Sequence, residues 1–137
     1  MRIETIVSVI GVVLIACGCS KTPEGKLIGE WKSTDSGHEA YSFLFNRDRT
    51  VRFIMGGVVL DGPTVGGKVE WRIDTTRDPI SLDLVVTPES GQQRVLPMII
   101  RFITDQKLQL RTSPDFQSRP TGFSAKDTEN QQILVKH

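Results

Sequence analysis

The sequence predicts an all-β domain, an antiparallel up-and-down β-barrel of about eight strands, with a two-layer β-sandwich as the alternative. Three observations predict it. Apolar and polar residues alternate through most of the chain, without a fault in Val69-Glu70-Trp71-Arg72-Ile73-Asp74, as in a strand with one buried and one wet face. Clusters of Asn, Asp, Gly and Pro separate the alternating runs and supply turn chemistry. After residue 26 no segment sustains the apolar period of about 3.6 residues that marks an amphipathic helix.

The first element is not part of that domain. Ile6 to Ala16 is apolar except for Ser8, a run of 11 residues. A helix of that length spans about 16 Å at about 1.5 Å per residue, and a transmembrane helix needs about 20 apolar residues. The run has the length of a signal-peptide core. Leu14-Ile15-Ala16-Cys17 resembles the lipobox of bacterial lipoproteins. That resemblance implies a diacylglycerol thioether on Cys17, cleavage after Ala16 and a further acyl chain on the new N-terminus. Cys19 is the alternative site, and ordinary secretion the alternative process. Residues 1–16 thus read as a lipoprotein signal peptide. Residues 17–26, with Ser20-Lys21-Thr22-Pro23-Glu24-Gly25, read as a flexible tether. More than one acyl chain is needed for firm anchoring. The expected location is the cell envelope, facing the periplasm, and the lack of Asp after Cys17 favours the outer membrane.

Residues 27–137 read as the barrel domain. Strands are expected near 28–33, 40–46, 50–56, 67–74, 80–86, 93–103, 107–112 and 131–136. Tyr41, Phe43 and Phe45 share one face, as do Val51, Phe53 and Met55, and Met98, Ile100 and Phe102. Asn46-Arg47-Asp48-Arg49, Thr76-Arg77-Asp78-Pro79, Pro88-Glu89-Ser90-Gly91 and Thr104-Asp105-Gln106 are the turns. Pro97 cannot donate to a ladder and should lie at a bulge or an edge.

Composition narrows the function classes. The 137 residues make one domain, and 17 Lys and Arg against 16 Asp and Glu leave a net charge of +1. No basic run or aromatic–basic interleaving suits nucleic acid. The only cysteines are Cys17 and Cys19, so the domain is expected to hold no internal disulfide and no Cys-based metal site. No cofactor is implied. Gly62-Pro63-Thr64-Val65-Gly66-Gly67-Lys68 matches the spacing of a phosphate-binding loop, but Val69 stands where Ser or Thr must hold magnesium, and a strand follows where a helix is required. His38 is the only internal histidine, and Asp35 and Ser36 are too close to it in sequence to converge as a triad. Glu70, Asp74 and Asp83 alternate with apolar residues and should face water, which does not suit paired catalytic carboxylates. No enzyme activity is expected.

Three motifs carry a family resemblance. They are the opening Leu27-Ile28-Gly29-Glu30-Trp31-Lys32, the central Trp71 to Leu84 stretch with Asp74, Pro79 and Asp83, and the closing Arg119-Pro120-Thr121-Gly122-Phe123-Ser124 followed by Leu134-Val135-Lys136. Together they resemble small lipocalin-like domains of planctomycete-type bacteria, over roughly residues 27–137. The resemblance implies a lipocalin-like barrel of unassigned role, with Trp31 closing one barrel end and the Arg119 guanidinium stacked on it. Two readings of function follow. In the first, the barrel binds a small apolar or amphipathic ligand lined by Tyr41, Phe43, Phe53, Trp71 and Phe102, with Phe45 beside them. In the second, the barrel is filled by its own side chains and meets an envelope protein through its outer face. The expected partners are a membrane, through the anchor, and a small hydrophobic ligand or an envelope protein.

Overall fold

The computed structural model describes residues 22–34, 40–127 and 130–137. The two cysteines, the apolar leader and the Asp35 to Glu39 segment with His38 lie outside the described residues. The chain forms β1 (Gly29–Ser33), β2 (Tyr41–Phe45), β3 (Val51–Met55), β4 (Val58–Leu60), β5 (Lys68–Asp74), β6 (Ile80–Thr87), β7 (Arg94–Thr104), β8 (Lys107–Thr112) and β9 (Gln131–Lys136). Two short helices accompany them, α1 (Pro23–Leu27) and α2 (Gly62–Val65). All strands belong to one sheet in the order β4-β3-β2-β1-β9-β8-β7-β6-β5. Each pairing is antiparallel.

The sheet curls into a nearly closed barrel rather than a two-layer sandwich. Its seam is a single bridge between Thr50 of the β2–β3 turn and Glu70 of β5. Beside it the Trp71 amide donates to the Arg49 carbonyl at 2.8 Å, and the Trp71 indole N–H donates to the Asn46 carbonyl at 3.0 Å. Closure removes most of the free backbone edge that an open sheet of this size would expose.

All eight expected strands are present, and a ninth, β4, joins them. It is only three residues long and follows the tight Gly56-Gly57 turn, both residues at positive φ. The sequence reads there as a glycine-rich break. The expected tether also needs correcting at its distal part. Residues 23–27 form α1, with the Thr22 hydroxyl accepting from the Gly25 amide at 3.0 Å and Pro23 in the first turn. That is an ordinary helix start, and Leu27 is wholly buried. Around Gly62 the chain makes one helical turn capped by Asp61, whose carboxylate accepts from the Thr64 amide at 3.0 Å. The strand expected after Lys68 follows it. Pro97 lies within β7 opposite Asp83, just past the point where β8 ends, since the last β7–β8 partners are Met98 and Thr112. One flank of β7 is therefore free of a ladder there, which accommodates the missing N–H.

Inward-facing side chains of every long strand make one core, including Trp31, Phe43, Phe45, Trp71, Leu82, Leu84, Met98, Leu108, Leu110 and Leu134. A second buried layer lies outside the sheet. Ser81, Val85, Pro97 and Ile99 face outward on β6 and β7 and are nevertheless buried. The long β8–β9 connection lies against this face as a strap, with Arg119 to Thr121 beside Ser81 and Ile99 and Arg119 bonded to Asp83 and the Met98 carbonyl.

Candidate functional site

Of the residues expected to line a ligand cavity, Tyr41, Phe43, Phe53 and Trp71 come together, in contact with one another or through Phe45. Tyr41, Phe43, Phe53 and Trp71 are 5%, 0%, 3% and 2% exposed. The Phe43 and Phe53 rings, directly opposed on β2 and β3, stack at 4.5 Å between centroids and 7° between planes. Phe45 stacks on the other side of Phe43 at 5.1 Å, and Tyr41 meets Phe53 edge-on at 5.4 Å. Phe45 in turn meets Trp71 edge-on at 5.7 Å. These are the separations of aromatic rings in direct contact. Phe43 and Phe53 are neighbours across the β2–β3 pair, as the sheet geometry dictates, whereas the Phe45–Trp71 contact joins strands that are not neighbours and so fills interior space. The period-two pattern predicts inward faces, and a solid stack satisfies it as well as a cavity wall does.

Phe102 is separate from that stack. It is half-buried at one end of the barrel, where its ring lies 6.3 Å from Trp31 and the Lys26 ammonium stands 5.4 Å above it. Trp31 is fully buried at the same end, and its indole N–H donates to the Leu27 carbonyl at 2.8 Å. Trp31 closes the barrel end together with α1, whose Leu27 forms part of the plug.

The expected stacking of Arg119 on Trp31 is overturned. The cation over the Trp31 ring is Lys136, with its ammonium 5.4 Å from the centroid. Gly29 makes this possible. It sits at φ +130°, and a Cβ there would lie 2.8 Å from Cε of Lys136. A side chain at position 29 would therefore be strained and would also displace the lysine. The opening and closing motifs thus meet at this end, through Gly29, Trp31 and Lys136. Arg119 lies on the strap, outside the sheet. It donates to Asp83 Oδ1 at 2.6 Å and to the Met98 carbonyl at 2.9 Å.

Asp83 therefore faces outward, as alternation requires, without being free in water. Arg119 and Arg72 both approach its carboxylate, which is only 16% exposed. Asp74 accepts from the Thr76 amide and pairs with Arg77 at 3.3 Å. Glu70 stands at the barrel seam. The three carboxylates sit in separate settings, and no pair flanks a common cleft. Other outward side chains stitch the strap down. Arg111 reaches Asp127 at 2.9 Å and the Gly122 carbonyl, and the Gln131 amide donates to the Ser124 and Asp127 carbonyls. Arg101 lies over the Phe123 ring at 4.7 Å. A shallow hollow remains between the β5–β6 turn and the strap, lined by Arg77, Pro79, Ser81, Ile99, Arg119 and Thr121. The Ser81 hydroxyl is buried there without a hydrogen-bond partner among the described residues.

At the α1 end a second network was not evident from the sequence. Glu24 pairs with Arg49, whose guanidinium lies 4.5 Å above the Trp71 ring. Lys26 pairs with Asp105 at 3.3 Å, and Lys136 donates to the Lys26 carbonyl at 2.8 Å. The one local signal was Thr22-Pro23-Glu24, an N-cap followed by proline and an acidic residue in the first turn. Among the described residues no group of three or more His, Cys, Asp or Glu side chains is placed to hold a metal ion. Cys17, Cys19 and His38 lie outside them.

No family model matches the chain, and no curated protein matches its sequence. Among solved structures the chain is similar to the crystal structure of Treponema pallidum Tp0751 (pallilysin), at 15% identity over 88% of this chain and 86% of that chain, with a TM-score of 0.48.

Proposed function

We infer that the protein is a lipid-anchored lipoprotein of the cell envelope, with a lipocalin-like barrel that is filled by its own side chains. It acts without catalysis, as a structural or protein-interaction module, through its outer surface. The single observation that carries the filled-barrel reading is that rings from strands that are not neighbours touch across the interior, Phe45 of β2 meeting Trp71 of β5 at 5.7 Å between centroids. A barrel that admits a fatty or amphipathic ligand keeps the side chains of walls that are not neighbours apart by at least the thickness of an alkyl chain. Here the rings satisfy one another. What supports the anchor is Leu14-Ile15-Ala16-Cys17 after an apolar run of 11 residues. The reading takes Cys17 as the acylated residue, Ala16 as the last residue removed, and the periplasmic side of the outer membrane as the location.

Mass spectrometry of protein purified from membranes tests both parts. The expected spectrum shows a chain that begins at an acylated Cys17 and carries no co-purified small molecule. A stoichiometric apolar ligand in the native spectrum would reinstate the ligand-binding barrel. Cys17→Ser should release the protein from membranes while Cys19→Ser should not. The reverse pattern would move the anchor to Cys19.

A further inference from the structure

The hollow between the β5–β6 turn and the strap holds about 410 Å³, within the range of small-molecule sites. Ser81 of β6, which lines it, is only 5% exposed, and its hydroxyl has no hydrogen-bond partner among the described residues. Buried hydroxyls are normally bonded, and one left unpaired is costly. A group that enters the hollow and accepts from Ser81 removes that cost.

The walls supply more donors than they use. Arg119 gives one N–H to Asp83 and one to the Met98 carbonyl, and Arg77 gives one to Asp74. A guanidinium carries more N–H groups than these contacts occupy, in a planar fork that fits a carboxylate. Asp74 and Asp83 are spent on these arginines, and Asp83 on Arg72 as well. Arg101, on the same outer face, is occupied by Gln109 and the Phe123 ring. Asp78 also lines the hollow, is exposed and makes no ion pair among the described residues. The site therefore offers unspent guanidinium donors and one unspent carboxylate. A simple anion meets the donors but faces Asp78. A simple cation meets Asp78 but faces the arginines. A small molecule that carries both charges satisfies the whole set. The rest of the lining is mainly apolar, from Pro79, Ile99 and Pro120.

We propose that this hollow binds a free α-amino acid with an apolar side chain. The ligand carboxylate accepts from Arg77, Arg119 and Ser81, its ammonium meets Asp78, and its side chain lies against the prolines and Ile99. The site is outside the barrel, so it depends neither on the filled interior nor on an acylated Cys17. A shallow site buries less of its ligand than a deep pocket does, so the ligand exchanges quickly and is lost on purification.

The test titrates full-length protein in detergent micelles with L-leucine and follows backbone amide shifts by nuclear magnetic resonance. The expected result is saturable shifts at Ser81, Ile99 and Thr121, with none at Phe43 or Trp71. Leucine amide, which lacks the carboxylate, and N-acetyl-leucine, which lacks the ammonium, should each bind several-fold more weakly. Ser81→Ala and Asp78→Asn should each weaken leucine binding several-fold. Neither disturbs the fold, since Asp78 is exposed and unpaired and Ser81→Ala removes an unsatisfied buried group, so neither unfolding midpoint should fall. The absence of saturable shifts with leucine overturns the site, and so does unchanged leucine affinity in either variant. N-acetyl-leucine or inorganic phosphate binding as tightly as leucine would mark a simple anion site, and leucine amide binding as tightly would mark a simple cation site. Each of these results overturns the amino-acid assignment.

Discussion

Replacing Phe43 with alanine examines the filled interior at its centre. Phe43 is 0% exposed. It lies between Phe53 at 4.5 Å and Phe45 at 5.1 Å, with Tyr41 edge-on at 6.4 Å. Removing the ring deletes two stacked contacts and leaves a hole walled by side chains from neighbouring strands of a nearly closed sheet, which cannot collapse inward easily. Loss of a buried phenyl group costs about 3–5 kcal/mol, and the poor capacity to relax puts this site toward the upper part of that range. Small domains are stable by only about 5–15 kcal/mol, so the variant should be marginal. Each kcal/mol corresponds to about 3–6 °C for a domain between the small and medium size classes, so the midpoint should fall by about 12–30 °C. Urea unfolding with an unchanged slope gives the free energy directly. The variant should also gain affinity for benzene-sized molecules, because a dry apolar cavity accepts them, while the parent protein should bind none. A loss below about 1.5 kcal/mol, the size of an ordinary surface or conservative change, would refute the packing account. So would benzene binding by the parent.

Three further outcomes follow from the same geometry. Arg119→Ala should cost about 1.5–3 kcal/mol, because it removes charged hydrogen bonds and leaves Asp83 under the strap with Arg72 alone, while Arg77→Ala, an exposed pair, should cost at most about 1 kcal/mol. Urea midpoints for the two variants distinguish them, and equal costs would mean that Arg119 does not fasten the strap. Gly67→Ala should destabilise by about 1–3 kcal/mol or prevent folding, because its Cβ would lie 2.0 Å from the Thr87 carbonyl oxygen, whereas Gly122→Ala, with open space around it, should be nearly neutral. Stability should be flat above about pH 4 and decline below it. Asp61 is held below the usual carboxylate range by the Thr64 amide and hydroxyl, Asp74 and Asp48 by Thr76 and Thr50, and Asp115 by the Gln117 amide. A depressed carboxylate stabilises the fold while it is ionised and loses that contribution as pH falls through its folded value. A thermal midpoint that rises on acidification would contradict this assignment.

The strand pattern was legible because the sheet is half-wet. Tyr41, Phe43 and Phe45 against Ser42 and Leu44 announce one inward face, and turn residues such as Asp105-Gln106 mark where each strand ends. β4 was hidden because three residues are too few to show a period, and Gly56-Gly57 reads as a break whether or not a strand follows. α1 was hidden because five residues carry no helical period, although Thr22-Pro23 is a capping signal. The strap was invisible for a different reason. Alternation places Ser81, Asp83 and Ile99 on the outer face, but it says nothing about what a connection 36 residues further along will lay over Asp83. The same limit misdirected Arg119 toward Trp31. Both residues are set by long-range contacts on opposite sides of one sheet, and sequence order does not reveal on which side a loop returns. For the candidate site, the sequence identified the aromatic residues correctly as an inward set. Whether such a set lines a space or fills it depends on a few ångströms of strand separation, which no residue pattern records.

The filled barrel can be tested most directly by nuclear magnetic resonance of the native protein, measuring the proton–proton contacts between the Phe45 and Trp71 rings, which lie on strands that are not neighbours, with and without excess medium-chain fatty acid. Strong contacts between the two rings, unchanged in intensity and shift when the fatty acid is added, are the expected result. Missing contacts, or shifts that move together at Tyr41, Phe43, Phe53 and Trp71 during the titration, would contradict it and show that the rings line a binding cavity.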